Sequence, residues 1–158
     1  MTPPILLAVP NVSEGRDLRT VSAIGDALAG AGGVRLLDTH SDADHHRSVF
    51  TLCGRPGELA DALLAGARIA VERIDVMVDR SGGRAFRGEH PHVGALDVAP
   101  IVYLDSRGRG AACAEALVLA DRIAEELGVP VFLYGELTAD GHASASPPGR
   151  PHRVNTER

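Results

Sequence analysis

A chain of 158 residues is long enough for one domain with a real hydrophobic core. Its net charge of −5 and its aromatic content of 3%, with no tryptophan, argue against a nucleic-acid binder, because neither phosphate-neutralising charge nor stacking surface is in supply. The hydrophobic fraction of 44% and charged fraction of 23% are ordinary for a globular protein, whose core must here be built from Leu, Val, Ile and Ala.

"ILLAV", Ile5 to Val9, is an apolar run ended by Pro10 and reads as a buried strand. Ser13 or Asp17 can cap the helix that follows, with Leu18, Val21, Ile24, Gly25 and Leu28 at helical spacing and Gly32-Gly33 closing it. "VRLLD", Val34 to Asp38, and "SVFTLCG", Ser48 to Gly54, are the next two strands. Pro56 suits a first helical turn, and Leu59, Leu63, Ala67, Ala70 and Ile74 mark one face of the second helix. "VAPIVYL", Val98 to Leu104, reads as a strand, and Cys113, Leu117, Ala120, Ala124 and Leu127 as a face of the third helix. Gly128 and Pro130 end that helix, and "VPVFLYG", Val129 to Gly135, reads as the last strand.

The order β-α-β-β-α-β-α-β predicts an α+β protein, a ferredoxin-like α/β sandwich with a mixed sheet and helices on one face. The competing arrangement is a flavodoxin-like parallel sheet, but a polar loop, "THSDADHHR", joins the second and third strands where that fold needs a helix. The domain is expected over 1–137. Residues 138–158 hold a single large aliphatic side chain, Val154, and three prolines, and are expected to be a disordered tail.

Cys53 and Cys113 form no CxxC pair and read as small apolar residues. No apolar run reaches membrane-spanning length, and "MTPPILLAVP" has neither a basic region nor a cleavage signal, so a cytoplasmic location is expected.

Three polar stretches could carry chemistry. In "RGEHPHVGALDVAP", Gly88 and Gly94 permit tight turns, and Pro91 pushes His90 toward an extended backbone. A histidine held this way can take and give a proton near neutral pH, with Glu89 or Asp97 orienting its ring. The blander alternative is a surface turn with two solvated histidines. "DTHSDADHHRSV" offers Asp38, His40, Asp42, Asp44, His45, His46 and Arg47. His and carboxylate can ligate metals, but no HExxH or comparable spacing occurs, so no metal is expected. Arg47 can hold a carboxylate with its planar fork, or simply lie on the surface. In "VPNVSEGRD", Asn11, Ser13 and Glu14 sit where a strand gives way to a helix, a place that binds anions or merely caps the helix.

Taken together, "VPNVSEGRD", "LLDTHSDADHHRSVFTLCG", "RGEHPHVGALDVAP" and "RIAEELGVPVFLYGE" resemble, in this order, the N-terminal subdomain of glutamate formiminotransferase (glutamate formimidoyltransferase). The resemblance runs from about Ile5 to Glu136, and "GEHP" followed by "GALDV" is its most specific part. Two residues depart from the usual pattern: His92 stands where arginine is common, and His46 where asparagine is common.

The resemblance implies transfer of a formimino group from N-formimino-L-glutamate to N5 of tetrahydrofolate, the co-substrate, in histidine degradation. It implies two ferredoxin-like subdomains with facing sheets and folate in the groove between them. His90 matches the catalytic histidine, Glu89 and Asp97 would orient it, and Arg47 would meet a glutamate carboxylate, with Asn11, Ser13 and Glu14 near the ligand. The family's C-terminal subdomain has no counterpart here. The chain would therefore be one half of a split enzyme completed by a second chain, or a non-catalytic ligand-binding or regulatory module. A sheet face without its second layer should also drive self-association, through Leu6, Leu36, Phe50 and Leu52 or their neighbours on the alternate face.

Overall fold

Two prolines set the grain of the sheet. A computed structural model describes residues 2–76 and 92–138. In it the first apolar run forms β1 (Leu6–Ala8) and β2 (Asn11–Val12), separated at Pro10. The fourth strand region is divided in the same way at Pro100, into β5 (Leu96–Val98) and β6 (Ile101–Tyr103). Proline has no N–H to give a ladder, but its carbonyl still accepts. The Pro100 carbonyl takes the Val9 N–H at 3.1 Å and the Pro10 carbonyl takes the Phe50 N–H at 3.0 Å, so both breaks are bridged across the sheet.

Between them lies a hairpin of β3 (Arg35–Asp42) and β4 (Arg47–Gly54). Much of the stretch expected to be a polar loop is therefore strand, and only four residues, 43–46, turn. The Asp42 carboxylate accepts from the Asp44 and His45 N–H groups, each at 2.9 Å, and builds the turn locally. The sheet order is β5-β2-β4-β1-β6, with β3 outside β4. Every pairing among the described residues is antiparallel, where a mixed sheet was expected. The reason is topological: the hairpin returns β4 into the gap beside β1 and β2, opposite in direction to each neighbour.

The helices α1 (Leu18–Gly30), α2 (Glu58–Arg73) and α3 (Arg109–Leu127) share one core with the sheet. Alternation along β4 sends Ser48, Phe50, Leu52 and Gly54 beneath them. Leu6, Phe50 and Leu52 are wholly buried there, and Leu36 is partly buried, so these residues belong to the covered face. Each large side chain removed from water contributes about 1.5–3 kcal/mol. The opposite face carries Leu7, which pairs in register with Cys53 and Val102.

Helix faces follow the expected spacing in α2, where Leu59, Leu63, Ala67 and Ala70 are buried, as is Ile74 just past its end. In α1, Val21, Ile24 and Leu28 are buried but Leu18 is 65% exposed, on the rim of a cleft of about 390 Å3 between α1 and β3. The buried face of α3 is Ala112, Glu115, Leu119 and Ile123, not the expected one through Cys113 and Leu117. Glu115 explains the rotation. Its carboxylate accepts the Gly57 N–H at 2.6 Å and the Ala60 N–H at 2.7 Å, capping α2 from a neighbouring helix. A buried acid thus satisfies orphan donors at a positive helix end. Gly128, at φ 65°, closes α3 in the left-handed conformation, as its position in the sequence suggested.

The stretch 129–134 forms no strand among the described residues; Val129 and Val131 pack on the core without ladder bonds. The tail beyond Thr138 and the residues 77–91 lie outside the described residues. None of the described helices is long and apolar enough to cross a membrane.

Candidate functional site

The polar residues converge where β2, the β3–β4 hairpin and β5 meet. Ser13 follows β2 directly and is fully buried. Its N–H donates to the Ala95 carbonyl at 3.0 Å and its hydroxyl to the Gly94 carbonyl at 2.7 Å. Two bonds therefore fasten this turn to the segment that follows the "GEHP" motif. Asn11, on β2, donates from its amide to the Val9 carbonyl at 3.0 Å and braces the kink around Pro10.

Glu14 turns its carboxylate back on its own chain, where Oε1 accepts from the N–H groups of Arg16 at 2.8 Å and Asp17 at 2.9 Å. The cap of α1 is Asp17, whose side chain accepts from the Arg19 N–H at 3.0 Å. The capping and site readings of this stretch are thus divided between residues: Asp17 caps, and Glu14 sets the turn before it. The Ser48 hydroxyl, reaching from β4, donates to the Glu14 carbonyl at 2.5 Å.

Gly15 sits where nothing larger fits. A Cβ there would run into the Asp42 carbonyl and the backbone of Arg47. The turn 13–15 is consequently pressed against the base of the β3–β4 hairpin, and this contact brings two sequence-distant clusters together.

Arg47, the first residue of β4, forms an ion pair with Asp97 of β5. The side chains are 15% and 5% exposed, so water screens this pair little. Burial lowers the pKa of Arg47 from its ordinary value, although arginine keeps its charge. The other carboxylate oxygen of Asp97 accepts the Val93 N–H at 2.8 Å. Asp97 was expected to orient His90; its described contacts instead hold Arg47 and the backbone at Val93. His90 and Glu89 lie outside the described residues.

The remaining histidines separate. His40 is on the exposed outer strand, on the face opposite the helices. His45 is at the hairpin tip, 2.9 Å from the Asp42 carboxylate, and its backbone N–H is the first cause that lowers the Asp42 pKa. His46 turns inward, is 8% exposed, and accepts the Gly15 N–H on Nδ1 at 3.0 Å. Its ring meets that of His92 edge to face, with centroids 6.1 Å apart. Sequence reading grouped His46 with its neighbours and missed Gly15 and Ser48 altogether. The signal for Ser48 was present: it is a polar residue on the inward phase of an alternating strand. Among the described residues no group of three or more His, Cys, Asp or Glu side chains could hold a metal ion.

The arrangement is a set of polar groups on three segments, tied to the backbone entering β5, with a buried cation–carboxylate pair beside it. Residues 5–147 match the formiminotransferase domain, N-terminal subdomain. The chain belongs to this family. Formiminotransferase relatives agree with that assignment. The chain is 43% identical over 128 residues to a glutamate formimidoyltransferase of Thermoplasma acidophilum, covering 81% of this chain and 40% of the relative. It is 40% identical over 128 residues to a formimidoyltransferase-cyclodeaminase of Gallus gallus, covering 81% of this chain and 22% of that one. It is 36% identical over 130 residues to a glutamate formimidoyltransferase of Streptococcus pyogenes serotype M1, with 82% and 41% covered. The chain thus spans well under half the length of these formiminotransferases.

Proposed function

We propose that the chain acts in transfer of a formimino group from N-formimino-L-glutamate to N5 of tetrahydrofolate, as the half of the transferase that carries the proton-transfer histidine. The observation that carries this reading is the fastening of Ser13 to Gly94 and Ala95, which joins the "VSEG" turn to the segment leaving the "GEHP" motif. Two stretches 81 residues apart are held as one unit, and Arg47–Asp97 locks the far side. Attack by N5 on the formimino carbon forms the new C–N bond and releases a proton. Loss of the glutamate nitrogen breaks the old bond and takes a proton up. An imidazole with a pKa near neutrality, that of His90, serves both steps in turn. Arg47, already shaped by Asp97, offers its remaining donors to a substrate carboxylate. No step requires a metal.

We read the sheet as ferredoxin-like, because the merged strands run in the order fourth, first, third, second, with helices on one face. The relatives' greater length supports a second layer supplied by another chain, and places the enzyme in the company of a small-molecule substrate in the cytoplasm. It equally supports a second reading, a non-catalytic folate- or ligand-binding module. His90→Ala separates them: with a C-terminal half from a relative added, this change should cause the largest loss of folate product among single histidine replacements. Retained transfer in His90→Ala, with loss in His46→Ala, would sink the assignment.

The helix-free face supports self-association. Leu7, Val49 and Cys53 are half-buried there, and Val98 and Val102 are 37% and 39% exposed. Apolar patches beyond about 400 Å2 are uncommon on monomers, and a symmetric pair is the simplest closure. Light scattering of the chain alone at micromolar concentration should report a dimer or larger species; a stable monomer would refute this.

A further inference from the structure

His46 is the only non-glycine residue with a positive φ among the described residues, at 52°. Left-handed backbone is unfavourable for a residue with a Cβ and persists where its surroundings over-determine it. Here the surroundings are the Gly15 N–H on Nδ1 and the ring of His92. A neutral imidazole has one acceptor nitrogen and one donor, so acceptance at Nδ1 places the proton on Nε2.

The same Nδ1 lies 3.3 Å from Glu14 Oε1. One nitrogen cannot accept from Gly15 and donate to Glu14. The neutral ring holds the backbone; the cation must release Gly15 and turn its new proton to Glu14. The 3.0 Å bond to Gly15 describes the native pairing, since Glu14 Oε1 is already occupied by two backbone N–H groups. Charged and titratable groups around His46 come from three segments: Glu14 and Arg16 after β2, His92 before β5, and Asp42, His45 and Arg47 on its own hairpin. Burial lowers its pKa, Glu14 opposes this, and Arg16 adds to it.

We infer that neutral His46 is a positioning residue of the candidate site, which sets the Ser13–Glu14–Gly15 turn against the segment entering β5 by accepting the Gly15 N–H and backing the ring of His92. Its consequence for transfer rests on the proposed function, but its structural content does not. The sign follows from the depressed pKa. The unfolded chain takes the proton first, so this contribution is complete above the ordinary histidine value of about 6.5 and is lost as pH falls below it, down to the folded pKa.

The test uses the full chain, labelled with 15N. In mildly alkaline buffer His46 should carry its proton on Nε2, and the Gly15 amide should be protected from exchange. As His46 titrates, Gly15 exchange, corrected for its intrinsic rate, should accelerate about tenfold or more. His46→Asn keeps an oxygen acceptor and tolerates left-handed backbone, so protection should stay and its pH dependence vanish. His46→Ala should lose protection about tenfold or more at every pH. A proton on Nδ1 in alkaline buffer, or Gly15 exchange indifferent to His46 titration, overturns the inference. In the two-half transfer assay, His46→Asn should restore the rate lost in His46→Ala and remove any acid limb due to His46. If the exchange results hold while no chain transfers formimino groups, the functional reading fails and the positioning role stands.

Discussion

Asp97→Ala should destabilise the protein by about 3–5 kcal/mol, the range for breaking a buried ion pair by removing one partner. The carboxylate it deletes pairs with Arg47 and accepts the Val93 N–H at 2.8 Å. At 15% and 5% exposure, neither side chain regains full hydration when the other is removed. The loss is large against a typical total of about 5–15 kcal/mol. Asp97→Asn should cost less, because an amide oxygen can still accept from Val93. Replacing the pair together, as Arg47→Met with Asp97→Leu, should recover most of the loss, since an apolar pair removes both charges from the interior. Urea unfolding of the four proteins decides it. A cost of about 1 kcal/mol or less for Asp97→Ala would place the pair with solvent-screened surface bridges.

That pair marks the limit of what the sequence made legible. Arg47 and Asp97 were both singled out, but for separate partners, a substrate and His90. Side-chain type states what a group can bind, whereas the register of β2 against β4 and β5 states what it meets. The strands were readable where apolar runs alternated, as in β4. They were misread where proline interrupted them: one expected strand became β1 and β2, and another became β5 and β6. The run 129–135 is apolar enough for a strand, yet Val129 and Val131 can bury themselves without ladder partners. The face of α3 was misjudged for a different reason. An alanine-rich helix has weak amphipathicity, and a buried Glu115 has no place in a hydrophobic stripe until the open end of α2 is beside it. His46 escaped notice for the same reason. Nothing in "DADHHRS" distinguishes the histidine at the tip from the one turned inward, because the difference is made by Gly15, 31 residues away.

The same dependence on distant partners sets the expected activity of the isolated chain. Alone, it should form folate product from formimino-glutamate and tetrahydrofolate at a rate about a thousandfold or more below that of the two-half assembly. Transfer between two small molecules depends on holding both together, and good orientation can lower the barrier by about 7 kcal/mol or more. The matched glutamate formimidoyltransferases are more than twice as long as the matched region, which covers 40% and 41% of them. The proposed reading assigns part of the folate groove to that additional length. A symmetric dimer through the open sheet face would present Leu7, Val49 and Val102 twice and would add no new class of residue. Donor binding through Arg47 should therefore persist without transfer, detectable by calorimetry with formimino-glutamate alone. The deciding measurement is a spectrophotometric assay of folate product with the chain alone, with the C-terminal half of a relative alone, and with both. Turnover by the chain alone equal to that of the mixture would locate a complete folate site within this chain. Absence of turnover in the mixture, with donor binding retained, would favour the ligand-binding module.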